Sequence, residues 1–261
     1  MIQKKLIIGN WKLSPTTVRE AKDLFTKVKN KATKAQKAVV VVCPPTPWLS
    51  LWAGFKSGKT FALGAQDCFS EAEGAFTGQV SPVMLKNLGA QYVIIGHSER
   101  RAAGDNDELI NQKIKAALKA GLTVVLCVGE TVRDDHGVYL ETIKEQILVG
   151  LAKIPKPMFN KVVVAYEPVW AIGDKAAGAD TPEAFVAQKI YIRKILSHLA
   201  GAKEAMNVPV LYGGSVSPKN AADFLGLGQA DGLLVGRASL RADLFTEIIN
   251  LTDHVAKKIK K

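Results

Sequence analysis

Residues 163–173 read Val-Val-Ala-Tyr-Glu-Pro-Val-Trp-Ala-Ile-Gly. A β-branched apolar run delivers one carboxylate, Glu167, to the end of a buried strand, and a Pro-Val-Trp hinge with small residues follows it. A carboxylate at the carboxyl end of a strand, beneath a loop able to close, is the layout of a catalytic base with a lid, here residues 168–179. The plainer alternative is a strand-ending Glu that caps the next helix. Other strand ends carry chemically able groups too. Asn10 and Lys12 follow the first apolar run, and a lysine there is either a snorkelling surface cation or an anion partner. His97 follows Val93-Ile94-Ile95-Gly96, where strand passes into a helix start. A helix N-terminus disfavours imidazolium, so a histidine there stays neutral and donates, unless it is merely bonded to backbone. Glu130, after Cys127-Val128-Gly129, reads as the structural partner of a cation such as Arg100. Gly213-Gly214-Ser215 and Gly236-Arg237 end the last two runs, where small residues let backbone amides approach an anion.

These groups need elements to bring them together. The apolar runs are short, β-branched and continuous, as expected of parallel strands covered on both faces. They fall at 5–9, 38–43, 60–65, 92–96, 123–128, 161–166, 208–212 and 231–235. Amphipathic stretches separate them, most clearly at 17–31, 108–119, 141–151 and 182–199. Thr181-Pro182-Glu183 combines a hydroxyl cap, a first-turn proline and an acid near the positive helix end. Eight such alternations predict an α/β fold of the (β/α)8 barrel type, with eight parallel strands each followed by a helix. An open doubly wound sheet is the competitor, but it would show a Gly-rich first turn where this chain has Asn10-Trp11-Lys12.

The 261 residues carry no Ser/Pro/Gly-rich linker, so one domain spanning 1–261 is expected. Three cysteines, Cys43, Cys68 and Cys127, lie in or beside apolar runs without metal-ligand spacing, which points to reduced thiols and a cytoplasmic setting. No stretch approaches a membrane span, and the N-terminal apolar run is too short for a secretory signal. The net charge of +11 raises the question of nucleic acid, but no recognition motif or aromatic–basic interleaving accompanies it. A solvated lysine-rich surface, or a field that attracts a small anion, accounts for it better.

The chain resembles triosephosphate isomerase from the first strand to the last helix. The likeness is carried by residues 9–12 (GNWK), 74–78 (GAFTG), 96–101 (GHSERR), 127–130 (CVGE), 165–173 (AYEPVWAIG) and 211–216 (LYGGSV). The resemblance implies a TIM barrel that interconverts dihydroxyacetone phosphate and glyceraldehyde 3-phosphate by proton transfer, without metal or cofactor. It puts the general base on Glu167, a neutral electrophilic imidazole on His97 and the cation beside the substrate on Lys12. Asn10 stands next to that cation and Glu99 supports it. The resemblance thus implies at His97 the same neutral imidazole that a helix start favours. Gly173, Ser215, Gly236 and Arg237 fall on the phosphate-holding positions. A homodimer is implied as well, with the loop at 66–79, carrying Phe76 and Thr77, reaching the partner's site near Asn10 and Lys12.

The chain departs from the family pattern in three places. Asp174 to Asp180 lack the usual signature after Gly173 and run about two residues longer, Arg237 stands where a second Gly is common, and Gln79 replaces an acid, with one residue missing after Arg101. Two alternatives follow: a related isomerase of another small aldose or ketose phosphate, and a non-catalytic barrel that only binds phosphorylated ligands.

Overall fold

The β-branched runs form eight parallel strands that close on themselves in sequence order. They are β1 (Lys5–Asn10), β2 (Ala38–Cys43), β3 (Phe61–Ala65), β4 (Ala90–Ile95), β5 (Thr123–Val128), β6 (Val162–Tyr166), β7 (Val210–Tyr212) and β8 (Gly232–Val235). The helices are α1 (Val18–Ala32), α2 (Thr46–Leu49), α3 (Pro82–Asn87), α4 (Ser98–Ala102), α5 (Asp107–Lys119), α6 (Tyr139–Gly150), α7 (Pro182–Ala200), α8 (Ala202–Asn207), α9 (Pro218–Leu225) and α10 (Ala242–Lys258). This computed structural model describes residues 4–171 and 180–258.

Closure is sealed where β1 pairs with β8, Leu6 beside Gly232 through Gly9 beside Val235. A side chain at Gly232 would collide with the Leu6 backbone, so the last strand can approach the first only with glycine at that register. Alternate strand residues, among them Ile8, Val41, Ile94, Val125, Cys127, Ala165 and Leu211, fill the barrel interior. The other set, with Ile7, Val40, Val93, Val124 and Val164, packs under the helices in a second apolar layer. A strand buried on both faces has no polar side to show, which is why its sequence reads as an unbroken apolar run.

The expected boundaries shift where a physical reason intervenes. The run at 208–212 pairs only from Val210, because Pro209 has no N–H to give; its carbonyl still accepts from the Val164 amide at 2.9 Å. Thr181 caps α7 as expected, its hydroxyl accepting from the Ala184 amide at 3.1 Å. Thr17 and Asn106 cap α1 and α5 in the same manner. Among the described residues, no helix is long and apolar enough to cross a membrane.

The three thiols are free and buried. Burial pushes Cys68 up to about 12 and Cys43 higher still. Burial, then the neighbouring Glu167, raises Cys127 well above the ordinary thiol range. Since the thiolate is the reactive form, a disulfide reagent at neutral pH should label none of them in the folded protein and all three in guanidinium. Rapid native labelling of any one would show that its wall opens.

Candidate active site

The carboxyl ends of the strands surround a cavity of about 240 Å³, whose wall includes Asn10, Lys12, His97, Glu167, Ser215, Gly236 and Arg237. That is below the ~300–1,000 Å³ of drug-sized sites, and suits a ligand of a few carbons. Of the described residues to which the resemblance assigns a catalytic or phosphate-binding place, only Glu99 is missing from this wall; it lines a neighbouring cavity beyond Lys12. Gly173 and the segment 172–179 lie outside the described residues.

Each side chain is placed by the element that ends beside it. After β1, Trp11 turns inward and is fully buried, its ring edge-on to Trp52 at 6.2 Å. The next residue, Lys12, therefore emerges on the cavity side, in a left-handed conformation with φ of 51°. Three polar contacts hold this turn: the Lys12 amide donates to Asn10 Oδ1 at 3.0 Å, and Gln66 Nε2 donates to the carbonyls of Lys12 at 2.8 Å and Cys43 at 2.9 Å. The Lys12 ammonium meets Glu99 Oε1 at 2.5 Å. Both side chains are partly exposed, so the pair adds little to stability, and its effect is to aim the ammonium.

His97 follows Gly96, whose φ of 76° makes the sharp exit from β4 that only glycine takes freely. The imidazole caps α4, with Nδ1 accepting the Glu99 amide hydrogen at 3.2 Å. A nitrogen that accepts an N–H carries no proton, so Nε2 is the ring nitrogen left to carry one. That nitrogen lies 3.4 Å from Glu167 Oε1. Glu167 Oε2 accepts the Ser98 amide at 3.2 Å, and the Glu167 amide donates to the Val128 carbonyl at 2.8 Å. Both side chains are almost wholly buried, and each carboxylate oxygen keeps a further lone pair for a ligand.

Two glycines make room for this carboxylate. A Cβ on Gly213 would stand 2.9 Å from Glu167 Cγ, and one on Gly129 would strike the Glu167 backbone. Sequence reading took the glycines after β7 only as a means of approaching an anion; that Gly213 also clears the space for Glu167 emerges from the barrel's curvature. Arg237 opens a 3-10 turn (Arg237–Leu240) and is exposed at the cavity wall. It is not among the residues with positive φ, so this position accommodates a non-glycine residue without backbone strain.

Glu130 differs from expectation in its partner. It is buried and accepts from Tyr166 Oη at 2.9 Å, Trp170 Nε1 at 2.8 Å and the Arg133 guanidinium at 2.8 Å. Arg100 instead joins Asp105 at 2.9 Å and Asp67 at 3.0 Å, together with the buried Lys113. The sequence offered a signal that was missed: Arg133 is three residues from Glu130, within reach inside one turn of chain, whereas Arg100 belongs to another βα unit.

Behind Lys12 lies a second cavity of about 230 Å³, lined by Thr46, Gln66, Asp67, Glu99 and Arg100 among others, with Asn10, Lys12 and His97 as the shared wall.

The triosephosphate isomerase family profile matches residues 5–252. Proteins named triosephosphate isomerase are similar along nearly the whole chain. That of Roseiflexus castenholzii is 44% identical, over 94% of this chain and 96% of its own length. That of Carboxydothermus hydrogenoformans is 43% identical, over 95% and 98%. That of Geotalea uraniireducens is 41% identical, over 97% and 100%. With a buried carboxylate, an imidazole and a lysine around one small cavity of a closed barrel, and with this extent of identity, the chain belongs to the triosephosphate isomerase family.

Proposed function

We propose that this chain is a triosephosphate isomerase and that Glu167, His97 and Lys12 carry its chemistry. The observation that bears most weight is the 3.4 Å approach of His97 Nε2 to Glu167 Oε1 on the wall of the cavity that Lys12 also lines. A base and a hydrogen-bond donor this close can serve adjacent atoms of one three-carbon substrate. Glu167 removes a proton from the carbon next to the carbonyl of dihydroxyacetone phosphate. The Nε2–H of His97 donates to the carbonyl oxygen, and the Lys12 ammonium offsets the negative charge of the enediolate. Passage of the hydroxyl proton from the first oxygen to the second by way of His97, with return of the carbon-bound proton from Glu167 to the neighbouring carbon, gives glyceraldehyde 3-phosphate. Proton transfers alone balance this reaction, so it calls for neither redox cofactor nor metal.

Positioned acid–base catalysis contributes roughly 10²–10⁴ in rate. The fixed charge of Lys12 and the oriented imidazole supply electrostatic stabilisation in a site that needs no reorganisation. Asn10 holds the Lys12 turn and borders the ligand, while Glu99 sets the direction of the ammonium. Ser215, Gly236 and Arg237 offer backbone amides to the phosphate, which Gly173 is expected to join.

The same reading extends to assembly. Residues 71–79 are exposed throughout, and Phe76 is 45% exposed despite its large apolar ring. The second cavity, of about 230 Å³, can take a side chain or two from the tip of such a loop on another copy, bringing Thr77 toward Asn10 and Lys12. A C2 homodimer, each loop seated in its partner, covers both surfaces. One catalytic unit spanning 1–261 in the cytoplasm is in keeping with a single closed sheet and buried free thiols.

A coupled isomerisation assay tests the activity. Glu167→Asp and Lys12→Ala should each lower kcat by at least ~10², and wild-type rates in either would remove that residue from its role. Faster turnover of four-carbon phosphates than of triose phosphate would reassign the substrate, and phosphoglycolate binding without turnover would leave only a binding barrel. Gly213→Ala, which crowds the carboxylate's Cγ, should lower kcat about 10-fold or more while the protein stays folded by circular dichroism. In sedimentation, the particle mass should be twice 28.1 kDa. A monomer at micromolar concentration would refute the dimer.

A further inference from the structure

A many-contacted charge beside the cavity belongs to Arg133, a residue outside its wall. Arg133 leaves the loop between β5 and α6 and enters a pocket of aromatic rings and carboxylates. Its guanidinium lies over the Tyr139 ring at 4.8 Å and the Trp170 ring at 5.1 Å. Two of its nitrogens donate to Glu130 Oε1, Nε at 3.1 Å and Nη2 at 2.8 Å, and Nη2 also reaches the Tyr166 hydroxyl. Its Nη1 stands 3.7 Å from Asp180 Oδ1. The side chains of Glu130 and Asp180 are each 2% exposed.

Two buried carboxylates thus share one cation. Burial pushes the Asp180 carboxyl above its usual range, and Arg133 is the first charge that opposes this. Without the guanidinium, Glu130 would keep two neutral donors, Tyr166 and Trp170, whereas among the described residues Asp180 would keep the Thr181 amide alone. Removing one partner from a buried ion pair costs more than the pair contributes, because an uncompensated charge is left behind.

The partners of Arg133 explain its bearing on the reaction. Tyr166 immediately precedes Glu167. Trp170 lies three residues after Glu167, and Asp180 lies immediately before the cap of α7. One planar group, with donors fixed in a fork, therefore ties the strand that delivers Glu167 to both described flanks of residues 172–179. We propose that Arg133 is a positioning residue of this isomerase: it fixes Tyr166, Trp170 and Asp180 relative to one another, and so fixes the wall on which Glu167 acts. It touches no reacting atom. The role rests on the isomerase reading above, and it concerns how the wall is held, not which groups react.

The test uses Arg133→Met, which keeps much of the apolar stem, and Arg133→Lys, which keeps the charge without the fork. For each, kcat and KM are measured with glyceraldehyde 3-phosphate, and inorganic phosphate and methylglyoxal are measured in the same reaction. These by-products arise when the enediolate's electron pair expels phosphate from the adjacent carbon before the proton returns. Their share reports how firmly the intermediate is held, which a mere loss of folded protein does not change. For Arg133→Met, kcat should fall ~10–100-fold, as for a small misplacement of reacting groups. KM should change far less, the by-product share should rise, and Arg133→Lys should fall between it and wild type. If Arg133→Met does not fold, Arg133→Lys decides by the same two readouts. Unchanged kcat and by-product share, or losses that only track the folded fraction, would overturn the proposal. Wild-type activity in the same run separates the cases: an inactive wild type sinks the isomerase reading, while an active wild type with indifferent variants sinks the role of Arg133 alone.

Discussion

Glu167 stands between two neighbouring strand ends, and it fits there because both neighbours lack a side chain. On one side, Gly129 after β5 faces the Glu167 backbone; on the other, Gly213 after β7 faces its side chain. The registers that set Val128 beside Tyr166 and Tyr166 beside Tyr212 bring these three residues to one height, and the Glu167 and Gly213 amides continue the ladder by donating to Val128 and Tyr166. The position of the carboxylate is thus a packing result before it is an electrostatic one. His97 and Ser98 then set its direction, since α4 presents a ring nitrogen and a backbone amide to its two oxygens. Interiors packed at crystal-like density transmit small displacements, so the supporting atoms matter nearly as much as the reacting ones.

Charge in this molecule works by placement. The Lys12–Glu99 pair is open to solvent and adds little to stability, yet it keeps the ammonium at the cavity edge. The deeper ions sit behind the wall, in the groups of Glu130, Arg133 and Asp180 and of Asp67, Asp105 and Lys113. Buried ions of this kind specify geometry more than they add stability. The net charge of +11 acts on another scale, as a general field favouring the approach of an anion.

Much of this was legible in the chain, for reasons that differ by element. The strands could be read because burial on both faces leaves continuous runs such as 123–128, and the caps because Thr181 and its neighbours compete for the same amides in any context. Asn10, Lys12, His97 and Glu167 could be picked out because polar groups at the ends of apolar runs need a reason to be there. What could not be read depends on closeness across the sheet. Nothing local in Gly129 or Gly213 distinguishes a turn glycine from one that clears a neighbour's side chain. The choice of Arg133 over Arg100 as the partner of Glu130 likewise depends on which loop bends over which strand. The roles assigned through the family likeness belong to chemistry, and the assays above decide them.

Lys12 holds its ammonium in place by adopting a backbone conformation that L-residues avoid, at a cost of about 1–3 kcal/mol. A glycine there would relieve that tension and delete the cation in a single step. Laboratory evolution for heat resistance, if conducted without a turnover screen, would therefore reward the loss of the enzyme's own charge at this position. On the role proposed for Lys12, the strained turn marks a site where endurance and catalysis pull the chain in opposite directions.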